Sequence, residues 1–82
     1  MRIISQDSMI DIPYEHYGMY INEADTNIYA QSVANSRDTF PIASYKTWEQ
    51  AKKAMDRLRD AYIIASVGNG PVVFAFPQEN EI

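Results

Sequence analysis

Few side chains in this 82-residue sequence could carry out catalysis. The chain has no cysteine and one histidine, His16, which excludes thiolate nucleophiles, disulfides, thiolate zinc sites and multi-histidine metal sites. His16 could act as a general base, but a lone histidine between tyrosines on a predicted strand is more typical of a packing or interface residue. Neither a G-x-S-x-G motif nor a P-loop is present. We therefore predict no catalytic residue and no cofactor, and a protein that is not an enzyme.

One segment matches the first part, but not the rest, of the ligand pattern of a calcium-binding loop. Glu23, Asp25 and Asn27 alternate as the first ligands of a calcium-binding loop do. The glycine and the final glutamate that such a loop needs would be replaced by Ile28 and Ala34. We therefore predict a solvated turn in this segment and no metal site.

A row of large aromatic side chains is the most informative pattern in the sequence. Residues 14–21 alternate as a strand does, which places Tyr17, Met19 and Ile21 on one face. A hairpin that pairs Ile21 with Ile28 brings two tyrosines opposite each other on the second face. Tyrosine is enriched at protein interfaces and also stacks on bases, whereas a half-exposed or internally covered strand face is the purely structural alternative. The candidate binding or interface residues on this second face are Tyr14, His16, Tyr20 and Tyr29.

The charge of the chain is unevenly distributed. Eleven acidic and seven basic side chains give a net charge of −4. Residues 46–60 contain five basic and three acidic side chains, a balance of +2, so the rest of the chain carries −6. An acidic chain is poorly suited to nonspecific nucleic-acid binding, and the mixed charges of residues 46–60 are typical of a solvated helix face. The residues that could nevertheless bind a phosphate or another anion are Arg2, Arg37, Lys52 and Lys53.

Short apolar runs separated by polar turns predict six strands. The first two strands are joined by a two-residue turn at residues 7–8. Pairing Gln6 with Met9 across this turn places the isoleucines Ile3 and Ile12 on one face. The predicted strands are Arg2–Gln6, Met9–Pro13, Tyr14–Ile21, Asn27–Val33, Phe40–Tyr45 and Val72–Phe76.

One helix is predicted between the fifth and sixth strands. Thr47 and Gln50 fit a capping box at its start, and residues 68–71 supply the glycine and proline that end it. The apolar stripe that faces the sheet consists of Trp48, Ala51, Met55, Leu58 and Tyr62. The order βββββαβ predicts an α+β fold, an antiparallel β-sheet with one helix packed on one face. We assign residues 1–77 to a single domain and residues 78–82 to a polar, mobile C-terminal tail.

Three segments resemble a group of small proteins encoded by phages and prophages of Gram-positive bacteria. The opening MRIISQD, followed by IDIPYE at residues 10–15, carries most of the likeness. ASY at residues 43–45 leading into AKKAM at 51–55, and FAFP at 74–77, are similar as well. Members often have more chain between the helix and the last strand, so no ligand site built from such an insertion is carried over. The resemblance implies no activity, cofactor or catalytic residue. The resemblance implies a phage-derived accessory protein in the cytoplasm of a bacterial host.

These observations predict a non-enzymatic phage accessory protein that acts by binding and antagonises a bacterial defence system. It would either occlude a host protein or sequester a nucleotide signal, stacking bases on tyrosines and pairing phosphates with basic side chains. The alternative is a structural or assembly protein whose tyrosine-rich sheet face is a homo-oligomer interface. A chain of this size buries only about two-thirds of its unfolded surface, so we expect a homo-oligomer. No segment reaches the roughly 18 apolar residues of a membrane span, so we predict no membrane partner.

Overall fold

The computed structural model describes residues 1–68 and 73–82 and places six short strands and one helix within them. The strands are β1 (Arg2–Ile4), β2 (Asp11–Pro13), β3 (Tyr17–Ile21), β4 (Asn27–Ser32), β5 (Thr39–Ser44) and β6 (Val73–Ala75). The helix α1 (Trp48–Ser66) lies between β5 and β6 in the chain. The predicted α+β class and the order βββββαβ are therefore confirmed.

The strands form two three-stranded sheets rather than a single sheet. In the first sheet β1 lies between β2 and β6, antiparallel to β2 and parallel to β6. In the second sheet β4 lies between β3 and β5, and both pairs are antiparallel. The parallel β1–β6 pair departs from the predicted antiparallel arrangement. It is possible because the second sheet and α1 supply the long crossover that parallel neighbours need.

Both predicted hairpin registers are confirmed. Ile3 pairs with Ile12 across β1 and β2, and both side chains are buried. Ile21 pairs with Ile28 across β3 and β4, and Ile28 is fully buried. The alternation of apolar and polar residues specifies these registers, because a slip by one residue would turn the buried isoleucines to the solvent.

Side-chain hydrogen bonds in the first turn replace strand pairing there, so β1 ends earlier and β2 begins later than predicted. The Ser5 hydroxyl accepts from the Ile10 backbone N–H at 2.9 Å and donates to the Asp7 carboxylate at 2.6 Å. That carboxylate also accepts from the Met9 N–H at 2.9 Å, and the two bonds hold the pKa of Asp7 below its usual value. Ser8 has a φ of 65°, in the left-handed region that tight hairpin turns require.

Helix α1 begins and ends where the sequence predicts. The Thr47 side chain accepts from the Gln50 N–H at 3.2 Å, and the Gln50 side chain accepts from the Lys46 N–H at 3.2 Å. Gly68 has a φ of +84° and donates to a carbonyl of the last turn at 3.0 Å, a conformation that glycine tolerates best. The rest of the predicted stop and the first residue of the predicted last strand, residues 69–72, lie outside the described residues.

One continuous core joins the two sheets to the helix. Its buried hydrophobic residues are Ile3, Ile12, Ile28, Ala30, Ile42, Ala43, Tyr45, Ala51, Ala54, Leu58 and Phe76. Trp48 and Tyr62, at the ends of the predicted stripe, are instead 45% and 40% exposed. The buried helix residues are Ala51, Ala54 and Leu58, so the buried stripe is shorter than predicted and includes Ala54. Within residues 1–68 and 73–82, no helix is both long and apolar enough to span a membrane.

The segment predicted as a mobile tail packs against the domain. Glu79–Glu81 form a 3-10 turn, which begins with a reciprocal pair of bonds between Gln78 and Glu81. The Glu81 carboxylate accepts from the Gln78 N–H at 2.7 Å, and Ile82 packs against the core. The polar composition of this segment did not indicate the turn, in which Gln78 and Glu81 satisfy each other's polar groups.

Gln6 links the two sheets to this C-terminal segment. Its N–H donates to the Ile42 carbonyl at 2.9 Å, and its side-chain oxygen accepts from the Ser44 N–H at 2.8 Å, both in β5. Its side-chain amide donates to the Pro77 carbonyl at 3.2 Å. Its own carbonyl accepts from the Gln78 side chain at 2.6 Å. All four polar groups of one residue are thus bonded across the junction of the sheets.

Candidate interaction surface

Two stacked tyrosines lie on the side of the second sheet that faces away from the core. We call this surface the outer sheet face and define it by Gly18, Tyr20, Tyr29, Gln31 and Pro41. Tyr20 and Tyr29 are cross-strand neighbours whose ring centroids lie 5.7 Å apart with their planes at 15°. Pro41 of β5 is the neighbour of Tyr29 on its other side. The three side chains form an apolar row across the strands, and Tyr20 is 42% exposed.

The loop between β3 and β4 fixes the position of Tyr29. The Tyr29 hydroxyl donates to the Asp25 carboxylate at 2.7 Å. The same carboxylate accepts from the Asn27 N–H at 3.0 Å. The Asn27 bond, followed by the Tyr29 bond, lowers the pKa of Asp25, and the bond to Asp25 raises the pKa of the Tyr29 hydroxyl. A rigid aromatic ring and an ionised carboxylate therefore lie side by side at the rim of the outer sheet face.

In the structure, Tyr14 and His16 are not part of the strand that carries the predicted aromatic face. Residues Tyr14–His16 form a 3-10 turn after Pro13, so β3 begins only at Tyr17. The Tyr14 ring packs on Tyr62 of α1, with centroids 4.7 Å apart. His16 is exposed on the same turn. The prediction of one shared face was wrong because the 3-10 turn interrupts the two-residue alternation on which it depended.

The four basic candidates do not share one element of the fold. Arg2 of β1 forms an ion pair with Asp11 at 2.8 Å, and Lys52 of α1 forms one with Asp56 at 2.9 Å. Lys53 is exposed on α1, and Arg37 is exposed in the loop between β4 and β5. Two of the four charges are therefore already paired with carboxylates. Among the residues that the structure describes, no group of three or more histidine or acidic side chains could hold a metal ion.

A polar cleft at the junction of the sheets was not foreseen from the sequence. Its cavity of about 430 Å³ is lined by Gln6, Ser44, Gln78, Glu79 and Asn80. A second cavity of about 220 Å³ shares Gln6 and Ser44 with it. Every polar group of Gln6 is already bonded within the chain, so this residue serves the fold. No local pattern could have indicated the cleft, since its walls come from the two ends and the middle of the sequence.

The outer sheet face is suited to contact with another surface. Stacked tyrosines supply a flat apolar area, lose little conformational freedom on binding, and keep hydroxyl groups at their tips. Tyr20 and Tyr29, with the register that brings them together, were both predicted from the sequence. The supporting contributions of Asp25 and Pro41 were missed, although the spacing of Asp25 and Tyr29 around a tight loop was a usable signal.

No family model matches the chain, and neither a curated protein nor a solved structure shows significant similarity to it. The functional interpretation consequently depends on the geometry of the outer sheet face.

Proposed function

We propose that the chain is a non-enzymatic binding protein whose contact surface is the outer sheet face. The observation that carries the proposal is the stacked Tyr20–Tyr29 pair, with Tyr20 exposed and Tyr29 half-buried, on the side of the sheet opposite the core. Aromatic anchors of this kind commonly dominate the binding energy of protein interfaces. The proposed partner is another protein, because the apolar row and its acidic rim suit a surface with apolar and basic groups.

The resemblance to phage proteins suggests the biological setting of this proposal. In that setting the chain is a phage accessory protein in the bacterial cytoplasm, and its partner is a host defence protein. Occlusion requires only that the outer sheet face cover a functional surface of the partner. No catalytic group is needed for such a mechanism.

Sequestration of a nucleotide signal has less support. A nucleotide stacked on the tyrosine pair would share this surface with the Asp25 carboxylate, which accepts from the Tyr29 hydroxyl at 2.7 Å. The lowered pKa of Asp25 keeps this carboxylate ionised at neutral pH, and like charges repel. Arg2 and Lys52 are each occupied by an acidic partner. Occlusion of a protein is therefore the mechanism that we propose.

The proposal is tested with a double variant, Tyr20→Ser with Tyr29→Ser, and a control, Tyr62→Ser. Tyr20 and Tyr62 are exposed to nearly the same extent, 42% and 40%, so the control removes a comparable surface away from the outer sheet face. Each chain is immobilised and exposed to lysates of Gram-positive bacteria that carry defence systems. Circular dichroism confirms folding beforehand, and mass spectrometry identifies the proteins retained.

We expect the natural chain and Tyr62→Ser to retain the same host protein and the double variant to lose it. Equal retention by all three chains would overturn the assignment to the outer sheet face. Titration calorimetry of the natural chain with cyclic and linear nucleotides tests the competing mechanism. Heat of binding that disappears in the double variant would replace occlusion by sequestration.

A further inference from the structure

The four edges of the two described sheets are not equally protected. In the first sheet the edge strands β2 and β6 have only three residues each, and β2 contains Asp11 and Pro13. In the second sheet β5 contains Pro41. The side of β5 that faces away from β4 is covered by Gln6, whose N–H donates to the Ile42 carbonyl. Short length, charge, proline and coverage are the features that natural proteins use to prevent edge pairing.

Strand β3 lacks the first three of these features, and helix α1 lies against it on the core side, where Met19, Met55 and Leu58 line one cavity. It spans five residues, YGMYI, without a charged residue or a proline. Its pairing with β4 is regular, since the one irregularity of the second sheet lies between β4 and β5. An uncharged regular edge of this kind is a template for another strand.

The hydrogen bonds of the hairpin define which backbone groups of β3 face this edge. The Asn22 N–H donates to Asn27 at 2.9 Å, and the Val33 N–H donates to His16 at 3.0 Å. The even-numbered residues of β3 are therefore bonded to β4, because bonding alternates along an antiparallel strand. The N–H and C=O groups of Met19 and Ile21 consequently point away from β4.

The outer side chains of β3 complement a second β3 strand. Gly18 and Tyr20 share the outer sheet face, and a Cβ added to Gly18 would meet no described atom within 4 Å. In an antiparallel pair centred on Met19, Tyr20 of each copy lies opposite Gly18 of the other. A large aromatic side chain over a glycine is a favourable cross-strand arrangement, since the ring covers the exposed backbone.

We infer that two copies of the chain pair through their β3 edges to form one continuous six-stranded antiparallel sheet. The Met19 residues exchange two hydrogen bonds at the two-fold axis, and each Ile21 N–H donates to the Tyr17 carbonyl of the other copy. Because β3 has no charged residue, it cannot select a charged strand of another protein by electrostatic attraction, and this favours pairing with a second copy of itself. An interface of this size is smaller than the roughly 1,600 Å² of a standard complex, so the dimer is weak.

This inference does not depend on the proposed function. Pairing at the edge does not involve Tyr29, which lies on the central strand β4. It places two outer sheet faces side by side, so a host partner with two equivalent sites would be bound more tightly than one with a single site. Tyr29→Ser separates the two proposals, because it should weaken capture of a host protein and leave dimerisation unchanged.

Amide exchange of the natural chain tests the pairing directly. In a dilution series followed by NMR, we expect the Met19 and Ile21 amides to exchange about tenfold more slowly at the highest concentration than at the lowest. The Gly18 and Tyr20 amides are bonded to β4 and serve as internal controls whose protection stays constant. Concentration-independent exchange at Met19 and Ile21, or a strictly monomeric mass in light scattering, would overturn the inference.

Cross-linking then tests the register, and the chain is suited to it because it contains no cysteine. The double variant Gly18→Cys with Tyr20→Cys should form a disulfide-linked dimer on mild oxidation, because positions 18 and 20 face each other across the seam. Each single variant places its two sulfur atoms on diagonal positions, with Cα atoms about 7–8 Å apart, beyond ordinary disulfide reach. Equal cross-linking by the single and double variants would contradict the proposed register.

Discussion

The two sheets share one core but differ in what they expose. The first sheet is formed by three-residue strands and is tied through Gln6 to β5 and to the C-terminal segment. The second sheet has longer strands, a stacked pair of tyrosines of which Tyr20 is exposed, and an edge strand, β3, without charge or proline. We propose from this difference that the first sheet and its links mainly stabilise the fold, whereas the second sheet provides the contact surface.

The largest expected effect comes from the core that the two sheets share. Ile3 in the first sheet and Ile28 in the second are both fully buried. Ile3→Ala and Ile28→Ala should each lower the free energy of unfolding by about 4 kcal/mol, because each leaves a cavity in a packed interior. Urea unfolding followed by circular dichroism measures both. A cost near zero for either variant would show that its sheet does not contribute to a shared core.

Substitution of Gln6 tests whether the junction of the two sheets contributes more to stability than the outer sheet face does. Gln6→Ala removes the bonds to the Ser44 N–H and the Pro77 carbonyl and should lower the free energy of unfolding by about 2 kcal/mol. The matched control is Gln31→Ala on the outer sheet face, whose amide donates to the exposed Ser36 carbonyl at 3.2 Å. We expect the control to cost about 0.5 kcal/mol or less. Equal costs would contradict the division between the two sheets.

Alkaline pH should weaken the junction at Tyr45. Its hydroxyl donates to the Pro77 carbonyl at 2.7 Å, and burial raises the pKa of Tyr45 from 10.0 to about 12. Because the folded state holds this proton more tightly, its stabilising effect is complete below pH 10 and is lost as the pH rises toward 12. Chemical unfolding across this range should show a loss of roughly 1–2 kcal/mol. Tyr45→Phe should be less stable at neutral pH and show a smaller alkaline loss.

The smallest expected effect concerns the rim of the outer sheet face. Bonds from Asn27 and Tyr29 lower the pKa of Asp25 below 3.8, so their contribution is present above that pH and is lost as the pH falls through the folded-state pKa. Tyr29→Phe should raise the pKa of Asp25 toward its ordinary value, which NMR titration of the carboxyl group measures. An unchanged titration would show that the Tyr29 hydroxyl does not form its hydrogen bond to Asp25 in solution.

The sequence predicted those parts of the fold that follow local rules. Alternating isoleucines specified the registers of both hairpins, and Thr47 and Gly68 marked the ends of the helix. The 3-10 turn at Tyr14–His16 was missed because the residues after Pro13 continue the alternation that a strand would show. Gln6 was missed for a different reason. Its bond to Pro77 joins residues 71 positions apart, and contacts of that kind leave no local pattern.

For the outer sheet face, too, only the features that follow from local pairing rules could be predicted. Tyr20 and Tyr29 were identified together because their proximity follows from the hairpin register. Tyr14 and His16 were grouped with them incorrectly because the grouping assumed an uninterrupted strand. The position of β3 at a sheet edge could not be predicted, since it depends on the order of strands within the two sheets.

Hydroxyl-radical footprinting of Tyr20 and Tyr62 tests the central claim most directly. The two rings are 42% and 40% exposed, so their oxidation in the isolated chain should be similar. The chain is compared alone and in a lysate of Gram-positive bacteria, at a concentration low enough to keep it monomeric. We predict that oxidation of Tyr20 falls several-fold in the lysate while that of Tyr62 is unchanged. Protection of Tyr62 with Tyr20 still oxidised would contradict the assignment of the outer sheet face.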